Sequence, residues 1–298
     1  MNSVIVNPLT ANVMNAVMCG LMSFGLLMTP QKFMQGGQYQ KPWFSNLPEE
    51  RDNKIYYLGQ FMGFIMLGGC VVPTLLSPSS QFLCYQMTLI HAVNILHTLV
   101  FMLSSVYENA IPDTLIGKSQ WGFMTVLSFA FFVVTLLASL HTTDNVVDSR
   151  DTYVSKTVAN ILTLAFTSIF GVLFIITPRL LLSFFWNDES LSDDTKTIIE
   201  FEFKILNITN IEKWWAHCIG TAILCLNLGV VVDLNIEQPL YTAGSLVTIS
   251  TLTLFNFHQV VMRPYKSISK RHILLSWLPN IVMSGVVIGV LTSALLYV

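Results

Sequence analysis

Charge is what this chain has little of. Asp, Glu, Lys and Arg make up 11% of its 298 residues, where a soluble domain carries about 25%. A surface facing water cannot be built from so few. A net charge of −2 also leaves no basic footprint for nucleic acid. Gly-rich turns between short strands are missing, which argues against a soluble α/β enzyme. So is the short apolar–polar alternation of membrane β-barrel strands. No His-Glu-x-x-His, Gly-x-Ser-x-Gly, CxxC or dinucleotide fingerprint occurs. Gly117-Lys118-Ser119 ends like a phosphate-binding loop, but Pro112 stands where that loop needs its first glycine. The five cysteines (Cys19, Cys70, Cys84, Cys218 and Cys225) show neither metal-ligand nor disulfide-framework spacing, and read as small apolar fillers. No Lys or Arg precedes the first apolar run. Neither a cleavable signal peptide nor an Arg-rich transit segment is therefore expected.

What is present is apolar and comes in blocks. Hydrophobic residues make up 53% of the chain. They concentrate in eight runs, at about 11–30, 55–76, 82–106, 119–141, 157–178, 212–234, 238–262 and 272–297. Each is about 20 residues or longer, enough for a helix to cross a hydrocarbon core about 30 Å thick. Such a helix satisfies its own backbone hydrogen bonds, which lipid cannot do. The expected fold is all-α, a polytopic membrane protein with eight transmembrane helices.

An even number of spans puts both termini on one side. All but two of the 15 basic residues then fall on the opposite side, in the loops at 31–54, 107–118, 179–211 and 263–271 or in the helix ends beside them. Only Arg150 and Lys156 share the side of the termini. The positive-inside rule places the cation-rich side in the cytosol or its equivalent, and both termini on the non-cytoplasmic side. The sequon Asn207-Ile208-Thr209 would then face the cytosolic side and stay unmodified.

The second half of the chain reads as a copy of the first. Trp121–Leu140 aligns without a gap on Trp277–Leu296, matching Trp121 with Trp277, Val126 with Val282, Ser128 with Ser284, Val134 with Val290, Ala138 with Ala294 and Leu140 with Leu296. Phe24-Gly25 leads to Thr29-Pro30 in one half, and Phe170-Gly171 leads to Thr177-Pro178 in the other. A cation follows each proline, Lys32 or Arg179, and then aromatics, Trp43-Phe44 or Phe184-Phe185-Trp186. Tyr56-Tyr57 precedes Gly63 as Trp214-Trp215 precedes Gly220, and the third helices carry His97 and His258 toward their ends. The Gly-to-Pro ending of the first helix is similar to that of small DoxX-type membrane bundles, a likeness confined to this short pattern.

Four helices per unit is an even number, so the two units are expected to be parallel, not inverted. The expected organisation is a first four-helix membrane unit at 1–141, a polar linker at 142–156, and a second unit at 157–298 with an acidic loop at 187–211. Within that loop, 195–206 fits either a short amphipathic helix on the membrane surface or a solvated loop. The seam between units is the expected place for a pocket.

The predicted helix centres hold no Asp, Glu, Lys or Arg; Glu108 and Asp233 stand at helix ends. That argues against a proton- or sodium-coupled carrier and removes a retinal Schiff base. The polar residues left inside are His91, Asn94 and His97 on the third helix, Asn160 on the fifth, His217 and Asn227 on the sixth, and Asn256 and His258 on the seventh. Histidines on two helices can ligate a haem iron, and one can ligate a chlorophyll magnesium. His91, His97, His217 and His258 are therefore the cofactor candidates. Hydrogen bonding between helices, at about 0.6–2 kcal/mol per contact, is the commoner role. Asn94, Asn160, Asn227 and Asn256 are the pocket-lining candidates. No catalytic or metal-binding residue and no cofactor is predicted, with haem or chlorophyll kept as the alternative. Gly285-Val-Val-Ile-Gly289 allows close helix approach, expected inside the bundle rather than between subunits. The thirteen methionines read as adaptable packing.

The lack of buried charge and of any catalytic constellation points to a non-enzymatic integral membrane protein. The expected role is an accessory or assembly subunit, with the lipid bilayer and other membrane proteins or a second copy as partners. One alternative is a carrier or channel for a small neutral or lipidic molecule at the seam. The other is a haem- or pigment-binding membrane protein.

Overall fold

The computed structural model describes residues 6–36, 42–49, 53–107, 109–112, 115–140, 152–186, 207–232, 236–262, 268 and 270–296. Most of the polar linker and of the acidic loop lies outside these residues, as do the 195–206 helix candidate, Glu108 and Asp233. Among the described residues the protein is all-helical, and eight helices are long and apolar enough to cross a membrane. They are α1 (Pro8–Met28), α3 (Lys54–Leu76), α4 (Gln81–Leu103), α5 (Leu115–Ser139), α6 (Lys156–Ile176), α8 (Asn210–Val232), α9 (Pro239–Val261) and α10 (Ile273–Leu295). Two short helices follow the first spans of the halves, α2 (Pro30–Gln35) and α7 (Pro178–Phe185).

Local chemistry sets these boundaries. Asn7 and Asn53 accept from the amides of Leu9 and Ile55 at 2.9 and 3.0 Å, capping α1 and α3. A reciprocal capping box opens α8: the Thr209 amide donates to Glu212 at 2.7 Å, and the Glu212 amide donates to the Thr209 hydroxyl at 3.2 Å. The two Thr-Pro steps do more than end a helix. Thr29 (φ −143°, ψ 57°) and Thr177 (φ −132°, ψ 53°) leave helical geometry in the same way. Pro30 and Pro178 then start α2 and α7 at the first helical position, where a missing N–H leaves nothing unpaired.

Two other prolines loosen the helices that contain them. Pro73 and Pro279 cannot donate to the carbonyls four residues back. The chain just before each, at Leu67–Val71 in α3 and Ile273–Trp277 in α10, widens to π-helical winding.

The second helices tie the halves together. α3 packs on α1, and α8 packs on α6. Their other faces cross the midpoint of the chain: α8 packs on α4, and α3 packs on α9 and α8. Glycines permit the closest crossings. A Cβ on Gly220 would stand 2.6 Å from the Gly171 carbonyl oxygen, and one on Gly68 would stand 2.8 Å from that of Gly244. Gly285 and Gly289 do not serve this purpose. Both are exposed, with nothing among the described residues within 4 Å of a built Cβ. The expected close approach inside the bundle is thus corrected: on α10 the inward face belongs to Ser284, Val287 and Leu291, which turns the glycine pair outward.

Lys54 and Glu212 form a buried ion pair at 3.6 Å, with side chains 8% and 4% exposed. It joins the first turns of α3 and α8. By sequence, Lys54 counted only as a loop cation.

Candidate ligand cavity between the halves

A cavity of about 240 Å³ lies where α8 of the second half meets α1, α3, α4 and α5 of the first. Its wall is soft. Seven of the thirteen methionines face it, among them Met18 and Met22 from α1, Met62 and Met66 from α3, and Met87 from α4. Four of the five cysteines line it as well. Among the described residues no Asp, Glu, Lys or Arg does. The 42–49 loop closes one end, held by Trp43 N to Met34 O at 3.0 Å and Ser45 N to Ala110 O at 2.9 Å. The Trp121 indole donates to the Trp43 carbonyl at 2.8 Å.

One wall is polar. His91 pairs with Asn15 Oδ1 at 2.7 Å and stacks on Phe131. Asn94 donates to Ser128 at 2.8 Å. His97 uses both ring nitrogens, Nε2 with the Tyr107 hydroxyl at 2.8 Å and Nδ1 with Cys218 Sγ at 3.3 Å. The Tyr107 hydroxyl also pairs with His217 Nδ1 at 2.5 Å. Burial, with a smaller contribution from Cys218, pushes the Tyr107 phenol above its ordinary value, so it keeps its single proton. One consistent arrangement runs Cys218 S–H to His97 Nδ1, His97 Nε2–H to the Tyr107 oxygen, and Tyr107 O–H to His217 Nδ1. Axial ligation by His97 would break this chain.

The candidate residues do not all converge. His91, Asn94 and His97 line this cavity, whereas His217 stands behind it and His258 is exposed on α9. Asn227 lines a space of about 60 Å³. It accepts from Tyr241 at 2.9 Å and donates to Ser168 at 2.8 Å. Asn256 lines a cavity of about 120 Å³ and accepts from Tyr57 at 2.7 Å. Asn160 lines none of the three.

Asn160 instead donates to the carbonyls of Ile236 and Gln238 and accepts from Thr242, which pins the start of α9. Asn12 does the same at the start of α4, donating to the carbonyls of Pro78 and Ser80 and accepting from Cys84. Both asparagines are fully buried. Replacing Asn160 with Leu takes the amide donor from the Ile236 carbonyl, replacing Asn12 with Leu takes it from the Pro78 carbonyl, and either change is expected to destabilise the protein by about 1–3 kcal/mol. Thermal unfolding in detergent, followed by circular dichroism, measures this.

Two tryptophans that the sequence did not assign to a site stand in the cavity wall. Trp214 and Trp215 are each 6% exposed and line it. Their buried indole nitrogens have no hydrogen-bond partner among the described residues. The same holds for Trp186, 2% exposed, which lines the cavity of about 120 Å³. Buried donors are seldom left unpaired in folded proteins. The adjacent Trp214-Trp215 pair was visible as a motif, but nothing in a sequence says which indole finds an acceptor.

The chain matches no protein-family model, no curated protein and no solved structure.

Proposed function

We propose that this integral membrane protein binds a small neutral molecule of lipidic character in the cavity of about 240 Å³, as a carrier for it within the membrane. One observation supports this above the others: the cavity spans the contact between the halves and is lined by flexible, uncharged side chains. An apolar cavity of about 150 Å³ holds benzene, so this one has room for a bicyclic molecule. An ion would find no compensating charge among the described residues of the wall. A subunit acting only by packing on partners needs no such space. In this reading the cation-rich loops face the cytosol or its equivalent, and both termini lie across the membrane.

The test is binding of indane to the purified protein in lipid nanodiscs, with empty nanodiscs as the reference for partition. Saturable binding is expected. Ala222→Leu puts a larger side chain into the cavity from a buried position on α8 and is expected to abolish that binding while helix content is kept. Uptake indistinguishable from empty nanodiscs would refute the proposal.

A further inference from the structure

We infer that the cavities of about 240 and 120 Å³ are two copies of one site, each taking a neutral molecule that presents a carbonyl-type oxygen to a buried indole N–H. This rests on the reading of the protein as a ligand binder.

The correspondence lies in details that the general repeat does not require. Trp121 and Ser128 line the larger cavity, and their sequence counterparts Trp277 and Ser284 line the smaller. The Trp121 indole donates to the Trp43 carbonyl at 2.8 Å, and the Trp277 indole donates to the Phe185 carbonyl at 2.8 Å. Each cavity is closed by an aromatic ring from the second helix of the opposite half. Trp214 stacks on His97 at 5.7 Å in the first, and Tyr57 stacks on Phe255 at 5.6 Å in the second. The crossing of α3 and α8 between halves therefore completes both sites at once.

The copies differ in width for a visible reason. Met18, Met22 and Leu26 on α1 face the larger cavity, while Phe166, Phe170 and Phe174 face the smaller one from α6. Rigid rings in place of flexible chains leave half the space.

The unpaired indoles point to the ligand. Trp214 and Trp215 in the larger cavity, and Trp186 in the smaller, hold buried donors with no partner among the described residues. Their complement is an acceptor. A carboxylate would add a charge that neither wall offsets, whereas a ketone or ester oxygen accepts one or two hydrogen bonds and stays neutral. The lipid-like remainder of such a molecule suits the methionine-lined space.

Matched probes test this on the unmodified protein in nanodiscs: 1-indanone against indane, and the smaller cyclopentanone against cyclopentane. Each ketone should bind about fivefold more tightly than its hydrocarbon after correction for partition, the worth of one hydrogen bond. Indanone should occupy one site per chain and cyclopentanone two. In spectra of protein carrying ¹⁵N-indole tryptophan, the Nε1–H signals of Trp214 or Trp215 should move on indanone binding. Trp214→Phe and Trp215→Phe, which keep a ring and remove the donor, should reduce the ketone preference. Trp186→Phe should do so only for the second cyclopentanone.

Equal affinity for ketone and hydrocarbon would overturn the acceptor while leaving the binding function intact. A single cyclopentanone per chain would overturn the second copy. Failure of all four probes to saturate would overturn the function together with this inference.

Discussion

Replacing Glu212 with Gln is expected to destabilise the folded protein by about 3–5 kcal/mol, the usual result of removing one partner from a buried ion pair. Glu212 sits 3.6 Å from Lys54 with almost no solvent on either side chain. Without the carboxylate, the ammonium stays desolvated between the first turns of two helices that belong to opposite halves. Gln is the informative substitution because it still serves in a capping box, so the Thr209 amide keeps an acceptor and the charge alone is lost. Glu212→Ala removes the cap as well and should cost about 1 kcal/mol more. Lys54→Met in the Glu212→Gln background removes the stranded charge and should recover most of the stability. Thermal unfolding of the parent, both single variants and the double variant in one detergent gives the coupling directly. Additive losses would show that the two charges do not support each other.

The ion pair also marks what a sequence can and cannot say about this fold. All eight spans were legible, because lipid demands about 20 apolar residues per crossing and imposes that length on the chain itself. The Thr-Pro steps were legible as ends of α1 and α6. The short helices they begin were not, because whether a chain resumes its helix after such a step depends on what it then packs against. Two π-wound stretches, Leu67–Val71 and Ile273–Trp277, had a signal in Pro73 and Pro279 just beyond them, whereas a third at Phe257–Met262 had none. Lys54 looked like a loop cation because its partner stands more than 150 residues away in sequence.

The candidate site was legible in kind but not in membership. His91, Asn94 and His97 share a helix face, and they do share a cavity wall. Asn160, Asn227 and Asn256 are separate. Each answers a local demand: a loop carbonyl, a serine hydroxyl or a phenol. Trp214 and Trp215, which line the cavity with His91, Asn94 and His97, arrive from the other half of the chain. No periodicity within one helix carries that information.

The glycines give the sharpest contrast in expected outcome. Gly68→Val should destabilise the protein by about 3 kcal/mol, at the upper end of what overpacking does. The crossing of α3 and α9 is a contact between backbones here. A Cβ on Gly68 would collide with the Thr248 hydroxyl and come within 2.8 Å of the Gly244 carbonyl oxygen and the Thr248 amide nitrogen. From the other side, a Cβ on Gly244 would stand 2.5 Å from the Gly68 carbonyl oxygen and 3.1 Å from Pro73. Rotating a side chain relieves neither clash, so the helices must part. Gly285→Ala and Gly289→Ala meet nothing among the described residues within 4 Å. Glycine inside a helix is about 0.8–1.0 kcal/mol worse than alanine, so each of these should raise the unfolding temperature. A Gly-x-x-x-Gly pair that tolerates alanine, beside a Gly68 that tolerates no side chain, would place a tight backbone contact of this fold at the α3–α9 crossing between halves. If Gly68→Val unfolded at the parent temperature, the α3–α9 crossing would have to be looser than its backbone distances imply.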